Sequence, residues 1–193
     1  TLTLNNAQVE DVSVEESGDD GSLNQGFETF NLVSSGATNH MNSLSAEDAQ
    51  TLVISGDQDL SIFGTADIFS DVGGNTLVEV TATTGGLLHM AGSLTKIDAS
   101  TLKGDLAINL NDVLHATKDG TSGTDVAVSV IGGEGDDTFW ISSGIDANDT
   151  IDGGTGGNVA VLTGGSIDGN INATGKLEVR TNTTADVVID TSK

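Results

Sequence analysis

Gly132-Gly133-Glu134-Gly135-Asp136-Asp137-Thr138-Phe139-Trp140 is the stretch on which the fold of this chain turns. It matches at every position the nonapeptide G-G-x-G-x-D-x-U-x, where U is a large apolar residue. Residues 153–161 read Gly153-Gly154-Thr155-Gly156-Gly157-Asn158-Val159-Ala160-Val161 and repeat the pattern, except that Asn158 stands where the aspartate belongs. The repeat has a physical logic. Glycines permit a tight turn that presents carbonyl and carboxylate oxygens, which suit Ca2+, and the apolar residue after the turn opens a short strand. Such units bury a face only by stacking on one another.

Working outward, short period-2 alternations recur along the chain. They are Val12 and Val14; Phe30 and Leu32; Leu52 and Ile54; Leu60 and Ile62; Val78 and Val80; Leu106, Ile108 and Leu110; Val126, Val128 and Val130; Phe139 and Ile141; Val159 and Val161; Leu177 and Val179; Val187 and Ile189. Each predicts a strand with one buried and one polar face. Clusters such as Ser17-Gly18-Asp19-Asp20-Gly21 and Ser55-Gly56-Asp57 between them carry turn chemistry. Ser45 ahead of Ala46-Glu47-Asp48-Ala49 reads as the cap of a single helical turn. Strand starts fall about every ten residues or twice that, which a β-sandwich also permits. The buried candidates are mostly Val, Ile and Leu, without the aromatic anchors of a sandwich core. The expected fold is therefore all-β, a parallel β-solenoid or β-roll with short strands and Gly/Asp turns.

Composition agrees. The 193 residues contain no Pro and no Cys, where average usage gives about ten Pro. Pro interrupts hydrogen-bonded ladders, and without Cys any staple is a metal or the stacking itself. Six Lys plus Arg against 29 Asp plus Glu give a net charge of -23. That field opposes binding to nucleic acid or to an anionic membrane. Divalent cations between the carboxylates would relieve it. No apolar run is long enough for a membrane-spanning helix, so no membrane insertion is expected. Thr1 is not an initiator Met, and the chain reads as part of something longer. A weak division falls near residue 120, at Asp119-Gly120-Thr121-Ser122-Gly123-Thr124. It separates coils over 1–120 from calcium-binding coils over 121–193, continuous with the first part.

Ca2+ takes 6–8 oxygens from carboxylates, carbonyls and water. Asp137 is the expected carboxylate ligand, with Asp136 second and the Gly132 and Glu134 carbonyls beside them. Asp149, Asp152 and Asn158 are the donors expected from the facing turn, and Phe139 should drop into the core. Asp57 with Asp59 forms another acidic turn. Other chemistries find little footing. His40, His89 and His115 are scattered, with no H-E-x-x-H and no Cys for zinc. No G-x-S-x-G elbow exists. Gly153-Gly154-Thr155-Gly156-Gly157 lacks the Lys of a phosphate-binding loop. The chain is not expected to be an enzyme.

The segments Val130–Phe139 and Asn148–Asn158 resemble the calcium-binding RTX repeats of proteins exported by type I secretion. Upstream, Phe27–Leu32, Thr51–Ile62 and Lys96–Ser100 running into Gly104–Leu110 look like the phrases of bacterial surface-layer (S-layer) proteins of the RTX type. The resemblance implies a secreted, cell-surface, β-helical protein with calcium as structural ligand. It also implies that calcium sites lie between stacked turns, so that Asn158 and Gly157 make one such turn poorer in charge. The expected function is a structural part of an extracellular surface layer that self-assembles with calcium, its partners being other copies and cell-surface polysaccharide. The alternative is a glycan- or surface-binding module of a secreted RTX adhesin. A third reading is the repeat domain of a secreted hydrolase.

Overall fold

A computed structural model describes residues 1–14, 28–46, 49–63, 86, 94–110, 126–141, 148–162, 166–167, 170–172, 176–181 and 188–189, with side chains through Val161. Sixteen strands follow in chain order: β1 (Leu2–Asn5), β2 (Gln8–Ser13), β3 (Thr29–Ser35), β4 (Asn39–Ser45), β5 (Thr51–Gly56), β6 (Leu60–Ile62), β7 (Lys96–Leu102), β8 (Leu106–Asn109), β9 (Ser129–Ile131), β10 (Thr138–Ile141), β11 (Thr150–Asp152), β12 (Gly157–Leu162), β13 (Ser166–Ile167), β14 (Asn170–Asn172), β15 (Lys176–Thr181) and β16 (Val188–Ile189). Among the described residues there is no helix. Ser45 ends β4, and Ala49 N donates to Ala46 O at 3.2 Å. Residues 47–48 of the expected helical turn lie outside the described residues.

The chain winds. Strands β1, β3, β5, β7, β9, β11 and β14 form one seven-stranded sheet, and β2, β4, β6, β8, β10, β12 and β15 form a second. Every pairing between neighbouring strands of these two sheets is parallel. Through β12 successive strands alternate between the sheets, so one strand of each makes one coil. This is a parallel β-solenoid, as the stacking repeat demands, while β13 and β16 form a small separate pair. Both sheets run through the division expected near residue 120, by way of β7 on β9 and β8 on β10.

The core lies between the sheets and is stacked by residue type. In the first sheet Phe30, Leu52, Ile97, Val130 and Ile151 lie in register. Met41, Ile62, Ile108, Phe139 and Ala160 face them from the second. None of the ten is more than 5 % exposed. Burying one such large aliphatic or aromatic side chain contributes about 1.5–3 kcal/mol, and the coil spacing of about 4.8 Å lets each sit on its own kind.

The two sheets differ on their outer faces. Outward residues of the first sheet, such as Asn31, Val53 and Thr150, are partly or fully exposed. The second sheet carries a separate buried cluster on its outside, made of Phe63, Ala107, Trp140 and Val161. The Phe63 and Trp140 rings lie 4.2 Å apart at 55°. Strands β6 and β8 are consequently buried on both faces, which alternation alone did not anticipate. The expected strand at Val78 and Val80 lies outside the described residues.

Candidate metal centre

The two glycine nonapeptides form successive turns on one edge of the solenoid. The first links β9 to β10 and the second links β11 to β12. Ser129 pairs with Thr150 and Thr138 with Val159, so the turns stack residue on residue, Gly132 on Gly153 and Asp137 on Asn158. Gly132 N donates to Asp152 O at 2.7 Å, Thr155 N to Gly133 O at 3.0 Å and Val159 N to Asp137 O at 2.8 Å. The Thr155 hydroxyl donates to Glu134 O at 3.3 Å. Glycine is required where backbones meet. Gly154 has φ +73°, and a Cβ there would strike Gly133 O; Gly156 has φ +92°, and a Cβ there would strike Gly135 O.

Asp137 is fully buried. Its Oδ1 accepts from Leu106 N at 2.8 Å, one coil below, and its Oδ2 accepts from Gly133 N at 2.6 Å within its own turn. Burial pushes its carboxyl up to about 7. The Gly133 and Leu106 amides pull it back down, and the charges of Asp105 and Asp136 raise it further. Asn158 fills the same place in the next turn. Its Oδ1 accepts from Asp137 N at 2.8 Å and its Nδ2 donates to Thr155 O at 3.2 Å.

A third member of this column went unread in the sequence. Asn39, at the start of β4, accepts from Ala7 N at 2.8 Å and donates to Ser35 O at 3.1 Å and Ala37 O at 2.8 Å. Between Asn39 and Asp137 the column holds Leu60 and Leu106. The only signal was a lone Asn before a strand, with no glycine run to mark it.

One residue earlier in each turn runs an outer column of acids, Asp59, Asp105 and Asp136. Asp105 N donates to Asp59 Oδ1 at 3.0 Å, Asp136 N to Asp105 Oδ1 at 2.7 Å and Gly157 N to Asp136 Oδ1 at 2.7 Å. Each carboxylate thus caps the next amide while standing about one strand spacing, ~4.8 Å, from its neighbours in the column. The Asp105 carboxyl is raised by partial burial, against the pull of the Asp136 amide, and further by the charges of Asp59 and Asp136. Like charges stacked in a ladder repel.

Of the residues expected to ligate calcium, Gly132, Glu134, Asp136, Asp137, Asp152 and Asn158 are gathered on this edge. Asp152 opens the second turn and accepts from Gly154 N at 3.1 Å, and Glu134 is exposed. Asp149 is placed elsewhere. It precedes β11, at the strand's other end, is buried, and accepts from Val128 N at 2.8 Å. His40 lies in β4 with Nε2 2.9 Å from Asn42 Oδ1, while His89 and His115 lie outside the described residues.

Among the described residues no three acidic or histidine side chains converge as a ligand cluster. Both oxygens of Asp137 are taken by backbone amides. The carboxylates nearer the solvent side of the edge are Asp105 and Asp136, each with its Oδ1 bonded to an amide of the next coil. No protein-family model matches the chain, and no curated protein or solved structure matches it either.

Proposed function

We propose that this chain is a structural segment of a secreted, RTX-type surface-layer protein that assembles with its own kind in the presence of calcium. The observation that carries this reading is the register of the two nonapeptide turns, stacked residue on residue beside the Asp59–Asp105–Asp136 column. Asp105 and Asp136 are the residues to hold Ca2+, with turn carbonyls beside them. The bound ion would cancel the repulsion within the column and stiffen the edge.

The chain's own residues supply everything else. Asp137 and Asn158 fix the turns from inside, and the aliphatic stacks keep the coils in register. A charge of -23 keeps uncompensated copies apart, so a cation is also the natural condition for copies to meet. The adhesin alternative looks to an exposed aromatic for glycan stacking, and the single Trp is 5 % exposed and packed on Phe63.

Ca2+ binding only to the folded state must raise the melting temperature. Millimolar Ca2+ is expected to do so and to shift Trp140 fluorescence, and Asp105→Asn with Asp136→Asn is expected to remove most of both responses. Ordered sheets seen by electron microscopy should form with Ca2+ and dissolve with chelator. Glycan binding by a protein that stays monomeric in Ca2+ would overturn the lattice reading, and a melting temperature indifferent to Ca2+ would overturn the calcium reading.

A further inference from the structure

Coil lengths in the first sheet vary, from 30 positions between Leu2 and Leu32 and 33 between Ile97 and Val130 down to compact coils. Phe30 pairs with Leu52, 22 positions on, and Val130 with Ile151, 21 positions on. Leu52 pairs with Ile97, 45 positions on. The strand that should carry this long coil across the second sheet is β6, which stops at Ile62 opposite Met41. Phe63 N then donates to Met41 O at 2.9 Å. Gly86 pairs with Ser43, its N donating to Asn42 O and its O accepting from Leu44 N, both at 2.8 Å.

Met41 and Ser43 are two positions apart on β4, and Ile62, Phe63 and Gly86 fill the matching track in order. On its other side Gly86 lies against β8, where a Cβ would stand 3.0 Å from Asn109 O. Gly86 thus sits between β4 and β8, as β6 does, and continues that strand. Its φ of +120° and the Asn109 backbone together keep the position for glycine.

We infer that residues 64–85 are an insertion into an otherwise ordinary coil, and that the solenoid closes without them across a Phe63–Gly86 splice. The lengths agree. Residues 64–85 number 22, and taking 22 from 45 leaves 23, beside the 21 and 22 of the compact coils. The inserted element is then separable from the scaffold: it can be removed or exchanged while the coils on either side keep their register. This inference is independent of calcium and of the surface-layer reading.

The test is the 193-residue chain with residues 64–85 deleted and Phe63 joined to Gly86, beside a second variant in which Gly-Ser-Gly replaces them. The inference expects at least one of the two to keep a β-type far-UV spectrum and a single cooperative melt within about 10 °C of the full chain. Loss of cooperative melting in both, or a larger fall in both, overturns it. In the full chain Gly86→Val is expected to lower the melting point, because the residue is held between β4 and β8. A silent Gly86→Val would show that Gly86 does not continue β6, and would also overturn the inference.

Discussion

The two stacked turns do the same job with different residues. The turn at 153–158 is closed by an amide. Asn158 accepts with its oxygen and donates with its nitrogen, while Gly154 N is satisfied locally by Asp152. The turn at 132–137 is closed by a carboxylate, and Gly133 N turns inward to Asp137 Oδ2. The cause lies one residue before the motif. Where the second turn has Asp152, the first has Ile131, its partner in register, which offers no acceptor. Asp137 therefore accepts with both of its oxygens, whereas a side-chain amide has a single acceptor atom, its other end being a donor. The aspartate of the nonapeptide thus has a structural reason to exist before any metal is considered.

This contrast is open to attack from the largest effect downward. Gly154→Val places a side chain at positive φ and against Gly133 O. It should cost about 3 kcal/mol or more in a urea melt, whereas Gly157→Val, without that φ and facing only the Asp136 side chain, should cost much less. Asp137→Ala orphans two buried amides and should cost about 2–4 kcal/mol, and Asn158→Ala, which orphans one amide and one carbonyl, about half that. Equal costs would erase the distinction between the turns.

The pH dependence follows from the raised Asp137 carboxyl. An acid that keeps its proton in the folded state up to about 7, but loses it near 3.8 when unfolded, binds more protons folded across that window. Stability in chelator should therefore fall as pH rises from about 4 to 7, by on the order of 1 kcal/mol per pH unit, with the raised Asp105 adding the same sign. Asp137→Asn should flatten the slope, and an unchanged slope assigns it to other groups. The smallest effect is the most diagnostic. Asp137→Asn alone leaves Gly133 N without its acceptor and should cost about 1–2 kcal/mol, while adding Ile131→Asp should recover much of that by recreating the Asp152 arrangement. Additive costs in the double-mutant cycle would mean that the two positions do not communicate.

Much of the fold was legible because its signals are local. Period-2 alternation marked β3, β5, β10 and β12, and the nonapeptides marked two turns. Strand β4, Asn39-His40-Met41-Asn42-Ser43-Leu44-Ser45, was missed because its polar residues are buried by neighbours far along the chain. Strands β11 and β14 are three residues long and show no period to detect. Asp149 looked like a donor from the facing turn because sequence distance does not tell which end of a three-residue strand faces which edge.

By itself the sequence determined that this is a stack of short parallel strands with glycine–aspartate turns. Apolar period and glycine placement act within a few residues, so they can be read along one dimension. Only the tertiary structure decided that Asp137 lies inside its turn on two amides, that Asp59, Asp105 and Asp136 form one column, and that Gly86 continues the strand left at Phe63. Apart from the Gly133–Asp137 bond within one turn, those relations join residues 23 to 46 positions apart. The coil lengths that bring them together are set by turns and an insertion whose sizes vary, so no fixed spacing in the sequence announces them.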